Sequence, residues 1–300
     1  MQRFAVSTDS TCDLKAPYVK ERDIWFVPLS FVVEKDGKFE DGVDEFTTEQ
    51  EYVDFYERLR AGAYSRTSML NYQSHYNHFV KMAAAGVTDA VHFTISSGLS
   101  PTVTVAQKAA QAVQEIYPNF RLLAVDPLTA TVGQGLLVEL AADCRDKGMS
   151  AQETYDFVMG LRQNVQHRII PDNLMYLKRG GRVSSVGAAV GTVLNVKPVL
   201  TFDETGKLQT VEKCRGMKKA FQNVLSAMEN APLDERQIAV VVHTGNEWGA
   251  NELAQMIETR FSVTPRVTLM GPVIGSHVGP SSVSCCWLST ATRQDLDGRN

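Results

Sequence analysis

Asp89–Tyr117 reads DAVHFTISSGLSPTVTVAQKAAQAVQEIY, and this stretch decides the fold class. Its first seven residues, DAVHFTI (89–95), form an apolar run with the length and β-branched content of a buried strand. SSGLS (96–100) is a turn, and PTVTVAQKAAQAVQEIY (101–117) has the apolar spacing of a helix. Ser100 suits the N-cap, and Pro101 suits the first helical position, where no amide hydrogen is needed. The unit repeats downstream as a strand FRLLAVD (120–126), a loop, and a helix GQGLLVELAADCRDKG (133–148) that closes on Gly148 after a basic residue. Upstream, RFAVSTDSTCDL starts as a strand over Phe4–Ser7 and enters a polar turn over Thr8–Thr11. Strands alternating with helices pair in parallel and carry helices on both faces, so the N-terminal half reads as doubly wound α/β.

The pattern changes near residue 165. YLKRGGRVS (176–184) is a basic glycine turn, and SVGAAVGTVLN (185–195) reads as a helix of small residues. VKPVLTFDETGKLQTVEKC (196–214) reads as a hairpin turning at Asp203–Gly206. A helix over 216–229, the strand QIAVVVH (237–243) and the helix ANELAQMIETRF (250–261) complete an α+β region. A chain of 300 residues fits two domains, expected at 1–165 and 166–300, with a crevice between them for a ligand.

Composition narrows the function classes. Apolar residues make up 44% and charged residues 21%, as in ordinary globular proteins. There is neither a signal-peptide core nor an apolar run of about 18 residues, so a cytoplasmic protein without stable membrane insertion is expected. The five cysteines lack CxxC spacing, which argues against a disulfide framework or a zinc site, and Cys285–Cys286 is read as strand packing. The net charge of −4 is uneven: residues 178–219 hold nine basic residues against three acidic ones. This strip suits one anionic ligand or partner surface, or is a solvated face; with few aromatic residues it does not suit nucleic acid.

In an open α/β sheet, ligands settle beyond the carboxyl ends of strands, where both polar turns lie. In the second turn, Ser96 and Ser97 offer hydroxyls beside a helix N-terminus, which suits a carboxylate or phosphate. Thr67 and Ser68 lie in a further polar turn before a helix that Asn71 can cap. No G-x-S-x-G elbow or phosphate loop is present, and His75 and His78, on one helix face, lack a third metal ligand. His243 ends a strand and reads as a satisfied histidine. His277 sits in MGPVIGSHVGPS (270–281), read as a Gly-Pro loop that brings an imidazole close to a ligand head group.

The stretches VSTDSTCDL, ISSGLSPT, VDPLTATVGQGLLV, LKRGGRVS, LNVKPVLTFDETGKL, EKCRGMKKA and GPVIGSHVGP occur in one order over residues 6–281. In this the chain resembles the DegV family, the fatty-acid-binding proteins that serve bacterial fatty acid kinase. The resemblance implies a two-domain carrier that buries one long-chain fatty acid in an apolar tunnel, needs no cofactor and is not itself an enzyme. It implies that Thr67 and Ser97, with Ser96 beside it, hold the carboxylate. It also implies that Arg215 and His277 support its phosphorylation by a separate ATP-binding kinase, yielding an acyl phosphate for phospholipid synthesis. Arg182 is expected near the same charge. Pro101, Met69-Leu70-Asn71, Val278 and Ser281 depart from the family's usual residues. The competing expectation is a serine esterase or acyl-phosphate hydrolase using Ser97 with His277 or His243.

Overall fold

The computed structural model of the chain describes residues 4–182 and 196–297. The small-residue helix expected over 185–195 lies outside the described residues. In chain order the described strands are β1 Ala5–Asp9, β2 Ile24–Val27, β3 Ser30–Lys35, β4 Lys38–Val43, β5 Tyr64–Ser68, β6 Asp89–Phe93, β7 Arg121–Val125, β8 Val165–Ile170, β9 Val196–Phe202, β10 Leu208–Arg215, β11 Ala239–His243, β12 Arg266–Leu269 and β13 Val283–Leu288.

The stretch 89–117 forms β6 and the helix Thr102–Ile116. It sits in a fully parallel sheet of order β2-β1-β6-β7. Strand alternation sorts its side chains between two cores. Ala5 and Ala90 meet Phe79, Ala106 and Val113 of the helices Tyr72–Ala84 and Thr102–Ile116 on one face. Val6, Val91, Phe93 and Val125 meet Leu136 and Leu137 of the helix Val132–Asp146 on the other.

That last helix is apolar nearly all round, and Val132–Val138 are buried without a break. Such a helix belongs inside a protein rather than on its surface. The second sheet explains why: Ile169, Leu200, Val240 and Cys286 join the same core from its other side. This second sheet has the order β10-β9-β8-β13-β11-β12 and is antiparallel except for β11 beside β12. Its outer face carries Val241, Val283, Cys285 and Trp287 against the helices Met217–Asn230 and Glu247–Phe261. Cys285 and Cys286 are thus buried on opposite faces of one strand, unpaired. The fold is α/β, a parallel sheet with helices followed by a mixed sheet.

A third sheet, antiparallel and of order β4-β3-β5, is not among the elements expected from the sequence. With the helix Glu49–Arg60 it packs an aromatic cluster of Phe31, Phe46, Tyr52, Phe55 and Tyr56. Its third strand, β5, places Thr67 on a strand rather than in the polar turn expected there.

Three further expectations are corrected locally. β1 extends to Asp9, because Thr8 and Asp9 pair with Phe26 and Val27 of β2. Ser100 does not cap its helix: Pro101 takes the N-cap position with no side-chain bond, and Thr102 is the first helical residue. The histidine loop is a helix, Pro272–Val278, because Pro272 pre-sets the first turn and Gly279, at φ 81°, ends it.

Candidate functional site

A cavity opens between the two larger sheets and beside β5, with about 790 Å³ of atom-free space counting its mouth. Ile95 and Leu99 come from the turn after β6, Ile169 and Phe202 from the second sheet, and Ile274 from the Pro272–Val278 helix. These walls are apolar. Polar groups are few, and several converge.

Thr67 Oγ1 and His277 Nε2 are hydrogen-bonded at 2.8 Å, joining β5 to the last turn of the helix. The other ring nitrogen, Nδ1, is buried and has no partner. It lies against Gly180, where a Cβ would stand 2.3 Å from it, so only glycine leaves the ring this room. Burial, and after it the charge of Arg182, pushes the imidazole down to about 4. It is therefore neutral at pH 7. Arg182 also lines the cavity and directs its Nε at the Leu99 carbonyl, 3.4 Å away.

Ser100 also lines the cavity and is buried, and its Oγ has no hydrogen-bond partner among the described residues. A buried hydroxyl without a partner is uncommon and costs about 1–3 kcal/mol. Sequence reasoning missed it by assigning it to capping. The backbone explains its placement: the Ser96 carbonyl accepts from both Leu99 N, at 3.0 Å, and Ser100 N, at 3.1 Å. This tight turn leaves Ser97 exposed and Ser100 buried, and composition alone carries no signal for that choice.

Ser96 and Ser97, the expected hydroxyl ligands, do not line the cavity. Ser96 donates to the Gly206 carbonyl at 2.8 Å, tying its turn to the β9–β10 hairpin. Ser97 is exposed, and its backbone N–H donates to Asp126. Arg215 is exposed at the end of β10, also away from the lining. Thr67, Arg182 and His277 are therefore brought together, while Ser96, Ser97 and Arg215 are not.

Among the described residues Ser97 is hydrogen-bonded to neither His277 nor His243, and no carboxylate accepts from His277 Nδ1, so the triad that the esterase expectation needs is not assembled in this structure. His243 lines a separate cleft with Lys15. His75 and His78 do meet a third histidine, His92, but Ser7 bonds both His78 and His92 at 2.9 Å. Among the described residues no cluster of metal-ligating side chains forms. Thr131, also lining the cavity, holds φ 54°, a strained value for a β-branched residue, and donates to the Asp13 carboxylate.

The chain that carries this cavity has known relatives. Residues 3–290 match the family model described as uncharacterised protein, DegV family. The chain belongs to the DegV family. A DegV domain-containing protein of Clostridium perfringens is 31% identical over 290 residues, 96% of this chain and 98% of that protein. Among solved structures, a DegV-family protein of Thermus thermophilus described for fatty acid binding is 28% identical, with a TM-score of 0.81. That match covers 96% of this chain and all of the other. A Thermotoga maritima protein whose structure revealed a fatty acid binding function is 26% identical over the same shares, also at 0.81. No helix among the described residues of this DegV protein is long and apolar enough to cross a membrane.

Proposed function

We propose that this DegV protein binds one long-chain fatty acid in the cavity and presents its carboxylate to a separate ATP-dependent fatty acid kinase. The observation that carries this reading is that one largely apolar cavity is lined both by the Thr67–His277 pair and by a buried Ser100 hydroxyl that has no partner among the described residues. A carboxylate there accepts from Ser100 and Thr67 and draws a proton onto His277, because an adjacent anion raises an imidazole that burial has lowered. Arg182 adds a cation at the wall. The acyl chain lies among Ile95, Ile169, Phe202 and Ile274. At about 0.8 kcal/mol per methylene, roughly 14 methylenes supply about 11 kcal/mol before ordering costs.

In this reading the chain is a cytoplasmic carrier of two domains meeting near residue 165, and phosphoryl transfer belongs to the kinase. His277 supports the carboxylate during transfer. Arg215, exposed and away from the cavity, acts from the basic strip on the incoming phosphate or the kinase. The fatty acid binding described for the Thermus and Thermotoga proteins supports the ligand class. Native mass spectrometry of the purified protein is the test: a one-to-one adduct of fatty-acid mass is expected. A bare chain that takes up no added fatty acid would sink the reading.

A further inference from the structure

A second cleft, whose lining is separate from that of the first cavity but which adjoins it through the Thr131–Asp13 hydrogen bond, reaches two buried carboxylates. Asp13 follows the short helix Ser10–Cys12 in a left-handed backbone conformation, φ 54°, and Asp44 follows β4. Both face Gly271. A Cβ on that glycine would lie 2.6 Å from Asp13 Oδ1 and 3.1 Å from Asp44 Oδ1. The two acids are unequally served. Asp13 accepts from Gly271 N at 2.9 Å and from the Thr131 hydroxyl. Asp44 has a hydrogen bond with Ser10, but its Oδ2 is buried without any partner. Asp44 is 5% exposed and lines the cleft.

The charge of Lys15 acts on both acids, but its ammonium forms no direct ion pair with either. Lys15 donates its ammonium to the Leu269 carbonyl at 2.6 Å and lies 3.6 Å above the Tyr52 ring. Among the described residues no ion pair reaches Asp13 or Asp44. Burial, and next the charge of Asp13, holds the Asp44 carboxyl well above the usual carboxylate range. A buried acid without a partner is unfavourable, and an arriving cation relieves it.

The cleft holds about 1030 Å³ of atom-free space counting its mouth, and Phe26, Phe46, Tyr52, Leu14 and Val19 supply its sides. Carboxylates at the base with aromatic rings on the walls suit an ammonium attached to carbon, since the rings favour the cation and the alkyl part together. Lys15 over Tyr52 is an intramolecular instance of that contact. We infer that this cleft is a binding site for a small primary amine, its ammonium on Asp44 and Asp13 and its carbons against Phe46 and Tyr52.

The test is calorimetric titration of the full chain with butylammonium chloride, against sodium chloride at equal ionic strength. Saturable one-to-one binding is expected, with a dissociation constant on the order of 1 mM for so small a ligand. Asp44→Asn, which keeps the side chain's shape, weakens it at least tenfold while native mass spectrometry gives the same lipid content as the parent. Phe46→Ala leaves both carboxylates and weakens binding several-fold, which serves if the asparagine variant does not fold. No saturable heat well above that concentration, the same heat from sodium chloride, or equal affinity in Asp44→Asn overturns the inference. None of these readouts depends on whether the larger cavity takes a fatty acid.

Discussion

Two polar turns leave neighbouring parallel strands at the same edge of one sheet, and their fates differ. After β1, hydrogen bonding is complete within the turn: Asp9 accepts from Thr11 N at 3.1 Å, Gln134 Nε2 at 2.9 Å and Ile95 N at 3.0 Å. Ser10 accepts from Leu29 N, and the Thr11 hydroxyl lies between Asp9 and Gln134. After β6, Ser96 is engaged, Ser97 faces water and Ser100 is buried with nothing to bond. The first turn is tied into the fold, and the second leaves one buried donor without a partner among the described residues. The difference lies in which polar groups find partners, since both turns are rich in the same residue types.

Acid tests the ground beneath both turns at once and carries the largest expected effect. Ser7 of β1 bonds His92 of β6, and His75 bonds Thr102 at the start of the following helix. Burial lowers His75, His78, His243 and His277 to about 4 and His167 to about 3. Between those values and about 6.5 the unfolded chain binds more protons than the folded one, so stability falls as pH falls through that window. Each group contributes up to about 1.4 kcal/mol per pH unit. Asp13, raised to about 6, and Asp9 and Asp44, also raised by burial, act in the opposite sense, being the more readily protonated when folded, and offset part of this. Urea unfolding at pH 7.5 and pH 5 is expected to differ by on the order of several kcal/mol. Equal midpoints would mean that these histidines titrate normally.

The next largest effect belongs to the closed turn. Asp9→Ala leaves the Thr11 and Ile95 amides and the Gln134 side chain without their acceptor. Unfolding in denaturant is expected to show a loss of about 3–5 kcal/mol. A loss under about 1 kcal/mol would mean that the turn does not tie the sheet's edge together. Ser100→Ala probes the open turn and should reverse the pattern: stability of the lipid-free protein holds or rises by up to about 1–3 kcal/mol, because a buried hydroxyl without a partner among the described residues is removed, while lipid affinity falls roughly 10- to 100-fold. Retention of fatty acid after extensive dialysis reads the second half. If Ser100→Ala keeps its lipid and loses stability, the two turns do the same job.

This contrast also marks what the sequence conveys. Periodicity located β6, its helix, the β9–β10 hairpin and the cap at Asn71, whose side chain accepts from Ser74 N at 2.9 Å. Those features are local, set by spacing and turn chemistry over a few residues. The sheet β4-β3-β5 escaped because β4 is largely exposed, giving no apolar alternation to read. His277 was found by motif, but its helix was not, since glycines at 271, 275 and 279 mask a turn that Pro272 starts. Among three serines in one turn, the choice of Ser100 for the cavity is set where the turn is tied to Gly206, more than 100 residues away in sequence, through Ser96 Oγ and the close approach of Gly98.

The smallest effects separate the two remaining serines. Ser96 donates to the Gly206 carbonyl and accepts from Gly98 N at 3.1 Å. Gly206 stands at φ 75° so close that a Cβ would lie 2.2 Å from Ser96 Oγ. Ser96→Ala therefore strips one buried carbonyl and one amide of their partner, and a loss of about 1–2 kcal/mol is expected with lipid content unchanged. Ser97→Ala removes a hydroxyl that faces water and touches no cavity residue, so unfolding free energy should move by less than about 0.5 kcal/mol. Lipid affinity should not move at all. A Ser97→Ala protein that releases its fatty acid would place the carboxylate at the outer rim of the turn, and would exchange the roles of Ser97 and Ser100.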